Sequence, residues 1–102
     1  MPAFDNYSEN PPTVSYVHGT VTVTTTPALV VTVPQSSSHG VLIATSAACF
    51  IGGSNVATSG ANQGIPLAAG TVYTIPTLGD AQCQLYAVSA TSANVSFCYP
   101  NS

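Results

Sequence analysis

The chain has 102 residues, no lysine or arginine, and only three acidic residues, so its formal net charge at pH 7 is -3. Its length fits one domain. Because binding to nucleic acid or to an anionic membrane depends on cationic side chains, we predict no nucleic acid and no membrane as partners.

Residues 1–17 are predicted to form an extended N-terminal arm. The segment holds three prolines and two of the three acids and shows no helical or strand period. Proline fixes φ and removes a backbone donor, which favours extended chain over helix. Either this arm is a free tail, or its aromatic residues dock on an adjacent subunit. The candidate arm contacts are Phe4, Tyr7, Pro11, Pro12 and Tyr16.

Residues 18–102 are predicted to form an all-β domain, a small antiparallel sandwich or barrel of about seven short strands. A strand is predicted over residues 18–26, because valine alternates with threonine from Thr20 to Thr24, which is typical of a half-buried strand. Pro27 separates it from a second strand at 28–33. The apolar run at 41–45 predicts a central strand, joined by a hairpin to a strand at 49–51. Three more strands are expected at residues 71–75, 85–90 and 94–99.

A long polar loop is predicted between the strand at 49–51 and the strand at 71–75. Gly52 and Gly53 are expected to turn the chain sharply, with positive φ, and Pro66 to fix its return. Val56 is the one apolar residue expected to hold the loop in place. We predict that this outward loop also supplies contacts to other proteins, through Ser54, Asn55, Val56 and Ile65.

No catalytic, cofactor-binding or metal-binding residue is predicted, and we expect that the chain is not an enzyme. Cys49, Cys83 and Cys98 fit no zinc spacing. They are read as buried small residues, as one internal disulfide plus a free thiol, or as a disulfide between subunits. His18 and His39 lie beside glycine in expected turns, without enough acids nearby for a site. The N-terminus has no signal-peptide pattern, so we expect synthesis in a cytoplasm without export by that route.

Three segments resemble a family of small β domains found in structural genes of tailed bacteriophages. They are I-G-G-S-N-V-A-T-S-G, then G-I-P-L-A-A-G, and later L-Y-A-V-S-A, and the resemblance covers roughly residues 41–97. The resemblance implies a β domain of a virion protein. The lack of lysine and arginine favours the outer surface of a shell over its DNA-facing side.

The expected function is therefore that of a capsid decoration, or cement, protein. Its partners would be the major capsid protein and further copies of itself, in a small homo-oligomer expected to be a trimer. The expected location is the outer capsid surface of the virion. The alternatives are a tail or fibre component, a head-surface domain that adheres to host glycans, and a free secreted domain.

Overall fold

Eight β-strands and no helix make up the part of the chain that the computed structural model describes, residues 15–35 and 39–101. The predicted all-β sandwich is confirmed, with one strand more than expected. The strands are β1 (Ser15–Val23), β2 (Ala28–Val33), β3 (Val41–Thr45), β4 (Cys49–Gly52), β5 (Ile65–Leu67), β6 (Tyr73–Ile75), β7 (Cys83–Val88) and β8 (Ala93–Asn101).

The strands form two antiparallel sheets of four. Sheet A has the order β1-β8-β3-β6, and sheet B has the order β2-β7-β4-β5. Thus β1 pairs with β8, β2 with β7, β3 with β6 and β4 with β5, so the second half of the chain retraces the first half in reverse. Two four-stranded sheets connected in this way form a jelly roll.

The predicted hairpin between β3 and β4 is wrong, because β3 lies in sheet A and β4 in sheet B. The short connection between them crosses from one sheet to the other. Thr45 Oγ1 donates a 2.6 Å hydrogen bond to the Ala47 carbonyl oxygen at this crossing. A neighbour in the same sheet and a neighbour in the facing sheet give the same alternating burial, so the sequence pattern could not separate them.

The missed strand, β5, contains a proline. Pro66 lies opposite Phe50, and β5 pairs with β4 alone among the described residues. Proline cannot donate a ladder hydrogen bond and is therefore found at sheet edges, where its nitrogen faces away from the neighbouring strand. The residues taken for a simple return of the loop form an edge strand.

The apolar core lies between the two sheets and comes from alternate residues of the strands. The largest fully buried side chains include Ile43, Leu67, Val23 and Val95. Phe97 packs partly buried against this core, opposite Gly19 on β1, where its ring occupies the space that a side chain at position 19 would need. Glycine at position 19 therefore allows a large aromatic ring to fill the interior near the sheet edge.

The strand β1 begins at Ser15, so the last three residues of the expected arm belong to the sandwich. Phe4, Tyr7, Pro11 and Pro12 lie outside the described residues, and their role as arm contacts stays a prediction. His18 lies within β1 and not in the turn expected for it.

Positive φ occurs at Gly40, Gly60 and Gly70. The prediction of positive φ at Gly52 and Gly53 is wrong. The glycine that the loop requires most is Gly64. A Cβ added there would overlap the Ile51 carbonyl oxygen and the side chain of Val56. The loop therefore needs glycine for close packing at its end, not for left-handed backbone at its start.

Candidate interaction surface

The described residues carry one formally charged side chain, Asp80, in the connection between β6 and β7. The other two acids, Asp5 and Glu9, lie outside the described residues. Both faces of both sheets are therefore free of aspartate, glutamate, lysine and arginine. Any contact made by these faces must depend on shape, apolar burial and neutral hydrogen bonds.

No element within residues 15–35 and 39–101 packs over the outer face of sheet A, and we call it the open face. Successive strand residues point to opposite sides, so the residues that alternate with the core positions of β1, β8, β3 and β6 point outward here. Tyr16 is 64% exposed and Leu42 is 44% exposed. The open face consists of Tyr16, His18, Thr20, Thr22, Asn94, Ser96, Cys98, Pro100, Leu42, Ala44 and Thr74.

Neutral hydrogen bonds order one half of the open face. Thr20 Oγ1 and Ser96 Oγ lie 3.0 Å apart, and Thr22 Oγ1 donates to Asn94 Oδ1 at 2.8 Å. Both pairs join directly opposite residues of β1 and β8. Cross-strand pairs of this kind fix side-chain rotamers before any partner arrives, which lowers the entropic cost of docking.

A second row of the open face is more apolar. His18, Cys98 and Leu42 are neighbours across three strands, because Cys98 pairs with His18 on one side and with Leu42 on the other. Thr74 continues the row on β6. Leu42 lies within an apolar run whose alternate members are buried, so the sequence alone could not assign it to the outside.

The outer face of sheet B is partly covered by the chain itself. Val88 points away from the core, yet it is only 2% exposed. The loop of residues 53–64 lies over it and is held by Val56, which is 4% exposed. Hydrogen bonds within the loop, from Ala57 N–H to Asn62 and from Gly64 N–H to Ala57, stabilise its shape. The expectation that Val56 holds the loop is confirmed.

A cleft of about 390 Å³ opens beside this loop at one end of the sandwich. Ser89, 1% exposed, lies at its base, in the segment between β7 and β8. It forms hydrogen bonds to the segments between β1 and β2 and between β3 and β4. Its N–H donates to the Thr24 carbonyl at 2.8 Å, and its Oγ donates to the Ala48 carbonyl at 3.1 Å. The cleft is lined by Thr25, Pro27, Val56, Ala57, Thr58, Val88, Ser89 and Ala90, without a charged or aromatic side chain.

All three cysteines are free thiols. Cys49 is buried, and burial raises the pKa of its thiol above the ordinary value of 9.0, while a hydrogen bond with Thr45 acts in the opposite direction. Cys83 and Cys98 are half-buried. The reading as small buried residues therefore fits Cys49 best, and Cys98 lies on the open face. Among the described residues, no three histidine, cysteine or acidic side chains come together as metal ligands could.

The predicted contact residues that the structure describes do not form one patch. Tyr16 lies on the open face, Ser54 and Asn55 are exposed on the loop beside sheet B, and Ile65, 65% exposed, lies on the edge strand β5. Val56 is buried under its own loop, so its side chain is not available for contact with a partner. The sequence analysis missed the residues of the open face on β3 and β8.

The aromatic residues of the later strands mostly serve the core. Phe97 and Tyr99 stack on each other with ring centroids 6.3 Å apart, and Tyr99 is 7% exposed. Tyr73 packs partly buried against the core, and its hydroxyl accepts a hydrogen bond from the Ala68 N–H. Phe50 and Tyr86 alternate with core residues and point outward from sheet B, where both rings are half-buried. Among the described residues only Tyr16 is an exposed aromatic side chain, so the glycan-adhesion alternative finds no row of exposed rings there.

The described segments contain no helix that is long and apolar enough to span a membrane. The chain matches no protein-family model, no curated protein and no solved structure. A function for it therefore has to be inferred from the residues and the geometry of the chain itself.

Proposed function

We propose that the chain is a non-enzymatic structural protein of a tailed-phage virion, which decorates the outer surface of the capsid and stabilises it through contacts with the major capsid protein. The observation that carries this proposal is the open face of sheet A. It is uncharged and partly apolar, and no described element packs over it. A surface of this kind is suited to docking on another protein and unsuited to binding polyanions.

The proposed mechanism is binding linkage. A protein that binds the expanded shell and not its precursor stabilises the expanded state by mass action, and many copies add their effects. Leu42 and Tyr16 supply exposed apolar area on the open face, and the Thr20–Ser96 and Thr22–Asn94 pairs supply ordered polar groups. Because ion pairs contribute little, binding to the shell is expected to change little between low and high salt.

The jelly-roll fold is compatible with a capsid role but does not by itself establish that role. Jelly rolls occur in viral capsid proteins, in lectin domains and in cupins, and a fold by itself does not define a function. The absence of charge on the sheet faces and the resemblance of residues 41–97 to phage β domains favour the capsid role.

The experiment compares two single substitutions that each add one positive charge at an exposed strand position. Leu42→Lys changes the open face, and Gln84→Lys changes the outer face of sheet B. Purified wild type and variants are added to shells prepared without the protein, and bound protein is measured after sedimentation. We expect Leu42→Lys to weaken binding by about tenfold or more, because docking would bury an unpaired charge. Equal loss in both variants, or in neither, would reject the open face as the contact.

Adhesion to host glycans remains the alternative function, supported by the occurrence of this fold in lectins. The cleft near Ser89 would be its site, since Thr25 and Thr58 bring hydroxyl groups there. A glycan array decides between the two functions: selective binding that is lost in Thr58→Val favours adhesion, and no binding together with shell binding favours decoration.

A further inference from the structure

Among the strands that the structure describes, the two sheets have four edges, and three of these carry features that block pairing with another strand. The edge strands β5 and β6 have three residues each, and β5 contains Pro66. The edge strand β2 is irregular, with a register shift between Leu29 and Val31, and prolines lie at both of its ends. Short length, proline and bulges are the usual means of protecting a sheet edge.

The fourth edge, β1, carries none of these features. It is nine residues long, pairs with β8 in one continuous register, and contains no proline and no charged residue. Among the described residues, only β8 pairs with it. A long, regular, uncharged edge exposes a row of backbone donors and acceptors that can pair with another strand.

We propose that two copies of the chain associate through β1, antiparallel and about a two-fold axis at Gly19, so that the two A sheets form one continuous sheet of eight strands. This pairing uses all nine residues of β1 and would add roughly eight to ten backbone hydrogen bonds. The contact is isologous, as in most homodimers. It does not depend on the proposed function, and it replaces the trimer expected from the sequence.

The side chains of β1 are compatible with this register. Residue 17 would lie opposite residue 21 of the second copy, which places valine against valine on the inner side. Val17 and Val21 are only partly buried in the single chain, so the contact would cover their remaining exposed surface. A shift by one residue would place inward residues opposite outward ones, and is therefore disfavoured.

No charge repulsion opposes the contact, and the symmetry of the dimer places both open faces on the same side. Neither β1 nor the strand beside it carries a charged residue, so two identical edges meet without repulsion. Because the two-fold axis is perpendicular to the sheet, both open faces lie on the same side of the dimer. The dimer therefore presents one surface of twice the area, and a shell with matching sites would bind it with gain from bivalency.

The test uses the full chain in solution, without any shell. In the proposed register His18 faces Thr20 of the second copy, and this pair occurs twice in the dimer. The double variant His18→Lys/Thr20→Lys (the Lys/Lys variant) therefore places like charges opposite each other at both pairs. The double variant His18→Lys/Thr20→Glu (the Lys/Glu variant) places opposite charges there. Leu42→Lys/Ala44→Lys adds the same charge to the open face away from the edge. Mass is measured by sedimentation equilibrium, and folding by circular dichroism.

We expect the wild type, the Lys/Glu variant and the Leu42→Lys/Ala44→Lys variant to have twice the chain mass of 10.3 kDa. The Lys/Lys variant is expected to raise the dissociation constant by roughly tenfold or more. Added salt should weaken the Lys/Glu dimer and strengthen the Lys/Lys dimer. A wild-type monomer or trimer, or equal behaviour of the Lys/Lys and Lys/Glu variants, would overturn the proposal.

Discussion

Ser89 Oγ donates a 3.1 Å hydrogen bond to the carbonyl oxygen of Ala48, which joins the connection between β7 and β8 to the connection between β3 and β4. The same oxygen accepts a hydrogen bond from the Thr91 N–H. A side chain that is 1% exposed thus satisfies two backbone groups and holds one end of the sandwich together.

Replacing this serine tests that role. Ser89→Ala is expected to lower the free energy of unfolding by about 0.5–1.5 kcal/mol, because the part-buried hydrogen bond to the Ala48 carbonyl oxygen is lost. The matched control is Ser54→Ala, at an exposed loop position, with an expected change within about 0.5 kcal/mol. Urea denaturation measures both, and equal stability of the two variants would show that the hydrogen bond contributes nothing.

The close packing of the loop over sheet B predicts a difference between two glycines. Gly64→Ala is expected to destabilise the fold by about 1–3 kcal/mol, since the new methyl group would overlap Ile51 and Val56. Gly53→Ala meets only Asn55 Oδ1, at 3.8 Å, and has no positive φ, so it should be neutral or slightly stabilising. Thermal melting of both variants measures the difference. If Gly64→Ala melts at the wild-type temperature, the loop does not pack as described.

The buried thiol of Cys49 predicts a loss of stability at alkaline pH. Burial raises its pKa in the folded state, so the folded protein holds this proton more tightly than the unfolded chain. Its contribution is complete below the ordinary pKa of 9.0 and is lost as pH rises through the raised value. The free energy of unfolding of the wild type should therefore fall more steeply above pH 9.0 than that of Cys49→Ala. Parallel curves for the two proteins would contradict the assignment.

Removal of residues 1–14 tests the predicted arm. Because β1 begins at Ser15, the truncated chain keeps all eight described strands and should fold. If Phe4 and Tyr7 anchor the arm on a neighbouring subunit, binding to shells falls while the fold and the open face are unchanged. Binding equal to that of the full chain would show that the arm is not a contact.

The sequence predicted the class of fold well, because alternating valine, threonine and small residues leave little choice but strands. It predicted β2 and β3 closely, and Val56 as the residue that holds the loop. It failed where the information is not local. The facing sheet of β4 and the pairing of Pro66 at an edge depend on contacts between distant residues.

The candidate surface was harder to predict than the fold. The expected contact residues were chosen because they are aromatic, proline or loop residues, and those that the structure describes lie on several sides of the sandwich. The open face is built from strand residues such as Leu42 and Cys98, whose outward direction follows only from the register with β8. Composition did indicate the nature of the surface, since a chain without lysine or arginine has only its two histidines as possible cationic side chains.

The most direct test of the proposed function is the copy number of this chain in purified particles. Quantitative mass spectrometry gives the molar ratio of the chain to the major capsid protein in virions of a tailed phage whose genome carries this coding sequence. The decoration role predicts a fixed ratio from one preparation to the next, with many copies in each head and none in isolated tails. Absence of the chain from washed particles, or its presence only in tails, would contradict that role.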